Sequence, residues 1–440
     1  MTANLPSRDF SLVFMVLLVT AAGNTALQSV LPAAGREIGI PDMLIAIIFS
    51  FSAALWTVSA PFWARQSDLR GRKRLMLVGV GGFGVSMLLC ALVIRAGLDN
   101  LIPAVAVFAL FASARMIFGL FGSASNPAAQ AYVASHTSEE ERTNGVATLS
   151  SAFGLGTILG PAVAPFFVLP FVGLSGPMFA FSFIAIAVAV AVARFLPDDN
   201  PARRAGGGAA ATEPNVGGAP TGASAIAARA AAQGGRRPRL SWRDPRIKPF
   251  MIYGFVSGSI QAATGQALGF LIIDHFGGQA TDAQRFIGIA LMAGAVATLL
   301  AQWGLIRILH MTPKSLMRWG AALASIGTIG IALASDYYGI VVAYALTSLG
   351  YGFARPGFTA GASLAVGDQE QGSVAGAITA INGSCFVLSP AIGIGLYELS
   401  RSSPYFAGGV ALAVLLVYTW HNHQLRSATP HLVPRDEVEL

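Results

Sequence analysis

The strongest constraint on this chain is a succession of apolar runs too long for any water-soluble core. Crossing about 30 Å of hydrocarbon takes roughly 20 helical residues. Twelve runs meet that length: 10–33, 43–63, 75–95, 101–134, 143–168 and 175–196, then 249–273, 286–309, 315–334, 337–364, 371–397 and 404–420. Inside lipid the backbone has no water to bond with, so a continuous apolar run must be a helix. Of the 440 residues, 54% are hydrophobic and only 11% charged, far from the balance of a soluble protein. Fifty glycines fit the same reading, because small residues let helices approach closely in a membrane. The expected fold is an all-α membrane protein with 12 transmembrane helices.

A duplication orders these helices. Residues 115–161 and 344–390 align without a gap, with Pro127 on Pro356, Gly154 on Gly383 and Pro161 on Pro390. In both copies a glycine-bearing helix leads through a short charged loop, 139–142 or 368–371, to a second small-residue helix. Repeats of this kind predict two pseudo-symmetric six-helix bundles around a central site. The chain divides into a first bundle at 1–196, a linker at 197–248, a second bundle at 249–420 and a tail at 421–440. The linker's Ala/Gly tract and its basic run Arg236, Arg237 and Arg239 cannot bury enough apolar surface to offset the entropy of ordering.

Charge placement sets the orientation. Of 28 Lys and Arg residues, 22 fall on the side of the termini and linker, four (Arg36, Arg95, Arg285, Arg401) on the other side and two (Arg115, Arg355) within spans. The positive-inside rule then puts both termini in the cytoplasm. This also accounts for the net charge of +7 without nucleic acid. The run after Arg8 contains Asn24 and Gln28 and outlasts a signal core, so it reads as an uncleaved first span. Cys90 and Cys385 lie in apolar runs, where they read as packing residues rather than a disulfide or metal pair.

Three motifs carry mechanism. Between the second and third spans stand Asp68, Gly71, Arg72 and Lys73; a carboxylate among basic residues at a membrane boundary can change partners as helix ends move. The loop resembles the signature Gly-x-Leu-Ala-Asp-Arg-x-Gly-Arg-Lys of the major facilitator superfamily, with Ala64 and Leu69 replacing its first Gly and its first Arg. That resemblance implies a conformational-switch role for Asp68. Arg115 and Gly119 are similar to the fourth-span motif of proton-coupled members, with Phe118 where Gln is usual. Gly156, Gly160 and Pro161 resemble the antiporter motif Gly-x-x-x-Gly-Pro, associated in that family with export. Physically, glycines four apart make a flat face for close helix packing.

Polar residues within the spans mark a candidate cavity. They are Asn24 and Gln28 in the first span, Arg115 and Asn126 in the fourth, Gln261 and Gln266 in the seventh, Arg355 in the tenth and Asn382 in the eleventh. Arg115, Gly119, Gly122 and Asn126, spaced 0, 4, 7 and 11, form one stripe on a continuous helix. In the family the first, fourth, seventh and tenth spans line the cavity. None of the 21 acidic residues lies deep in a span, and Asp274 at the end of the seventh is the nearest.

The leading expectation is a secondary transporter, closest in motifs to the 12-span drug/proton antiporters, that exports small amphipathic compounds in exchange for protons by alternating access from the inner membrane. The alternative is a carrier of organic anions, such as a carboxylate metabolite or siderophore, held by Arg115 and Arg355. An enzyme is not expected, since no nucleophile, metal cluster or acid and base pair is assembled. Neither a cofactor nor a metal is expected. The partners are a small-molecule substrate, protons and membrane lipid, and the chain is expected to act as a monomer.

Overall fold

The computed structural model describes residues 6–137, 139–198, 243–276, 280–367 and 370–426. Most of the linker and the tail therefore lie outside the described residues, as does the side chain of Asp68. Twelve long helical segments succeed one another among the described residues. In the first half they are α1 (Ser7–Ile38), α2 (Asp42–Arg70), α3 (Arg72–Leu98), α4, α5 (Glu139–Val163) and α6 (Gly176–Phe195). The composite α4 runs as Ala104–Phe121, a 3-10 turn Gly122–Ala124, and Ser125–His136. The second half contains α7 (Lys248–Phe276), α8 (Ala280–Leu299), α9 (Pro313–Leu333), α10 (Tyr337–Leu364), α11 (Gln371–Leu399) and α12 (Ser403–His421). A π-helical stretch, Leu300–Leu305, extends α8.

Ten of the described helices are long and apolar enough to cross a membrane, and Ser151–Phe167 within α5 is a shorter apolar segment. α10 reaches 28 residues, but its tyrosines, its glycines and Arg355 dilute its hydropathy. Large apolar side chains face outward all round, among them Val58, Phe183, Val342 and Val414. In water such a surface would aggregate; around a bundle it is what lipid requires.

Packing repeats between the halves. α1 lies on α5 as α7 lies on α11; α2 packs on α4 as α8 on α10; α3 packs on α6 as α9 on α12. Cross-helix hydroxyl bonds echo this order, since Ser182 donates to the Gly84 carbonyl at 2.8 Å and Ser325 to the Gly409 carbonyl at 2.8 Å. The halves meet chiefly through α2 on α11, its mate α5 on α8, and α1 on α8. This is the pseudo-symmetric six-plus-six arrangement that the duplication predicts.

The long fourth and tenth spans are expected either to project from the bilayer at their cytoplasmic ends or to bend near Pro127 and Pro356; in the fourth the helix changes pitch before the proline, at Gly122–Ala124. Pro127 then falls in the first turn of the next segment, where a missing N–H costs nothing. At Pro356 α10 stays helical, and the Thr359 hydroxyl donates to the Arg355 and Pro356 carbonyls, both at 3.1 Å.

Candidate substrate cavity

Where α2 turns into α3, Gly71 adopts φ 96°, a conformation that side-chain-bearing residues avoid. The turn is therefore tight. Arg72 is fully buried beside it, while Lys73 reaches Asp198 at the far end of α6, with Nζ 3.3 Å from Oδ1.

The antiporter-like glycines are contact points. A methyl group on Gly156 would sit 2.5 Å from the Leu18 carbonyl oxygen, and one on Gly160 would strike the Ala22 carbonyl and the Thr25 hydroxyl. α1 and α5 thus cross backbone to backbone. Pro161 comes next on the same helix and turns its carbonyl toward Gly288 of α8 in the other half.

A chamber lies between the halves in three joined lobes. The central lobe encloses about 800 Å³, its open mouth included, and is lined by Gln28, Thr157, Pro161, Gln261, Gln266, Tyr344, Ser348 and Tyr351. A first-half lobe of about 360 Å³ is bounded by Asn24, Gln28, Phe49, Ser52, Trp56, Arg115, Phe118 and Phe386. The second-half lobe, about 320 Å³, contains Ser257, Gln261, Tyr351, Arg355, Asn382, Cys385 and Phe386. Gln28 joins the central lobe to the first, while Gln261 and Tyr351 join it to the second. Among the described residues, no Asp or Glu lines any of the three.

Seven of the eight residues expected in the cavity lie on these linings. Asn126 does not. It is buried and accepts a hydrogen bond from the Gln130 side chain at 3.0 Å. The reason is the 3-10 turn: three residues at 120° each, rather than about 100°, rotate the next helical segment out of the stripe started by Arg115. Sequence reasoning missed Tyr344, Tyr351, Trp56 and Phe386, aromatic residues that nothing in the chain alone separates from lipid-facing ones.

Arg115 is 2% exposed. Its Nη2 donates to Asn24 Oδ1 at 2.9 Å, and its guanidinium carbon stands 4.5 Å from the Phe118 ring centre and 5.7 Å from that of Phe49. Among the described residues, Nε and Nη1 have no hydrogen-bond partner.

At the end of the molecule away from Gly71 the halves are closed. Pro32 abuts Gly269, and Met43 abuts Gly395. Arg36 of α1 binds Asp42 at 2.6 Å and reaches across to Asp274 of α7, with its guanidinium carbon 5.2 Å from the Phe270 ring centre. Asp274 also accepts from Tyr397 Oη at 2.5 Å and lies 3.4 Å from Arg401 Nε. This ion cluster fastens one half to the other.

The chain is similar to several known proteins. A class D tetracycline resistance protein of Salmonella ordonez is 31% identical over 156 residues, 34% of this chain and 36% of that protein. The multidrug resistance protein MdtG of Yersinia enterocolitica is 24% identical over 161 residues, 36% of each chain. The matches thus span about a third of these relatives. Among solved structures, the human organic anion transporter MFSD10 (TETRAN) superposes with TM-score 0.64 at 18% identity, over 94% of this chain and 99% of that one. The xylose transporter XylE of Escherichia coli, in a partially occluded inward-open conformation, gives 0.69 at 13% identity, over 94% and 96%. At such identities the fold alone is shared. Residues 13–390 match the sequence profile of the Major Facilitator Superfamily, and this multi-pass membrane transporter, which is not an enzyme, belongs to that superfamily.

Proposed function

We propose that the protein exports small amphipathic compounds in exchange for protons, from an inner membrane in which both termini face the cytoplasm. The observation that carries this reading is the chamber between the halves, sealed at the Arg36 end and lined by amides, hydroxyls and aromatic rings from both bundles. Such a lining suits ligands that combine an apolar body with a few polar groups. The matched segments of tetracycline and multidrug resistance proteins support export.

Substrate contacts come from Asn24, Gln28, Arg115, Gln261, Gln266, Arg355 and Asn382, with Asn126 a supporting residue beneath them. Asp68, Gly71, Arg72 and Lys73 form the switch: the rigid turn at Gly71 transmits tilting of α2 to α3. Gly156, Gly160 and Pro161 form the pivot on which α5 rocks against α1 and α8. Alternating access then requires the Arg36 to Asp274 contact to part while the opposite end closes.

Purified protein in liposomes, given an imposed pH gradient and a panel of antibiotics, dyes and organic acids, tests the reading. At least one compound should accumulate against its gradient, saturably, only while the proton gradient lasts. Asp68→Asn should cut that flux by about tenfold or more with unchanged insertion. Flux that neither saturates nor responds to the gradient would rule out coupled export.

A further inference from the structure

We infer that the lobe around Arg115 is an anion-binding site: the ligand is an organic anion whose carboxylate, or equivalent acidic group, pairs with Arg115 while its apolar body lies against Phe49, Trp56 and Phe118. This deepens the carrier reading above and rests on it.

An Arg side chain cannot shed its proton under ordinary conditions, so burial leaves a full positive charge near the middle of a membrane, at a cost of several kcal/mol unless something compensates. Its hydrogen-bonded neighbour, Asn24, is neutral. No described acid lines the lobe. Phe118 and Phe49 lie near enough for cation–π contact, which recovers about 0.5–2 kcal/mol. A ring attracts a cation through its face and supplies no acceptor for the in-plane N–H groups.

The unmatched N–H groups lead to the same conclusion. Nε carries one hydrogen and Nη1 two, and none of these three has an acceptor among the described residues. An arginine used only to tie helices together would spend them on backbone carbonyls. Here the guanidinium borders a lobe of about 360 Å³ that shares Gln28 with the wall of the central chamber. The missing acceptor therefore comes from the cargo. A charged acceptor gains more than a neutral one, and the aromatic wall selects anions that carry a hydrophobic body.

The test is direct binding to the full-length protein, delipidated in neutral detergent. The probes are aryl and alkyl carboxylates of several sizes, each paired with its uncharged methyl ester. At least one acid should bind about tenfold or more tighter than its ester. Arg115→Gln should erase that preference, weakening the acid far more than the ester; Arg115→Lys should retain part of it. Equal binding of acids and esters by the wild type, no binding of any acid, or a preference that survives Arg115→Gln would each overturn the proposal. A parallel arm adds phosphatidylglycerol: if this lipid displaces the acid and is itself retained by wild type but not by Arg115→Gln, the lobe holds a lipid headgroup and the cargo assignment fails. These outcomes leave the export reading standing, since that reading falls only with the gradient-driven flux.

Discussion

Arg36, near one end of α1, and Arg115, within α4, both approach aromatic rings, but their charge is met in opposite ways. Arg36 lies at the water boundary between two carboxylates, Asp42 on its own half and Asp274 on the other. Arg115 lies at mid-depth with one neutral hydrogen-bond partner and two nitrogens without any among the described residues. The first cation is spent on holding the halves together. The second is free for cargo. A carrier needs both kinds of contact: ones made between halves, which select a conformational state, and ones left unmade, which select a ligand.

Supplying the missing acid should convert the second kind into the first. Asn24→Asp places a carboxylate where Nη2 of Arg115 already donates. The ligand-free protein should melt higher, and affinity for anionic probes should fall at least about 30-fold, the loss of roughly 2 kcal/mol expected when a charge-assisted bond is pre-empted. Differential scanning fluorimetry and equilibrium binding read the two effects. Unchanged anion affinity in Asn24→Asp would mean that Arg115 is not where the anion sits.

The converse change is Asp274→Asn, which weakens the latch while sparing the chamber. Arg36 keeps Asp42, so no cation is stranded, and the pair is partly exposed, so the cost is about 1–2 kcal/mol rather than that of a fully buried pair. That corresponds to about a tenfold shift toward states open at this end. A cysteine at position 43, where Met43 meets Gly395, should react with a membrane-impermeant maleimide up to about tenfold faster in the Asp274→Asn background than without it. An equal rate would show that the prolines and glycines of this seam, not its charges, hold it shut.

The sequence made the scaffold legible because lipid imposes a simple rule on run length, and because the duplication reports a symmetry that packing then obeys: α2 on α11 is repeated as α5 on α8. Arg115 and Arg355 could be singled out for the same reason, since a charge inside an apolar run has few uses. Which charges pair across the halves was not legible. Asp274 could be noted only as the acid nearest a span, and Arg36 only as one of four cations on the poor side, because their meeting depends on how two bundles tilt. Asn126 was misplaced by a change of helical pitch over three residues whose glycine, serine and alanine carry no distinctive signal.

Arg355 sharpens the comparison at smaller scale. In the aligned repeat it falls on Asn126 rather than on Arg115, eleven residues along the helix, or about 16 Å at 1.5 Å per residue. The two cations thus do not form one symmetric clamp. A single small anion held by Arg115 should lose only about two- to threefold in affinity on Arg355→Ala, through long-range attraction alone. Losses equal to those of Arg115→Gln would show that both guanidiniums grip the same ligand.

The smallest effect belongs to a third arginine, which has Arg36's carboxylates but not its shelter. Arg246 binds Asp244 at 3.0 Å and Glu370 at 2.8 Å, and its hydrogen bonds hold both carboxyls below their usual ranges. The sign comes from linkage: a depressed carboxylate stabilises the fold above its unfolded value, near 4, and that contribution fades as pH falls through the lower folded value. Water and salt screen an exposed cluster. Arg246→Ala should therefore lower the melting temperature by no more than about 1 °C at neutral pH, with the difference shrinking in acid and in molar salt. A drop of several degrees that persisted in salt would mean that surface charge in this protein acts as strongly as the sheltered pair at Arg36, and the contrast between spent and unspent cations would lose its basis in burial.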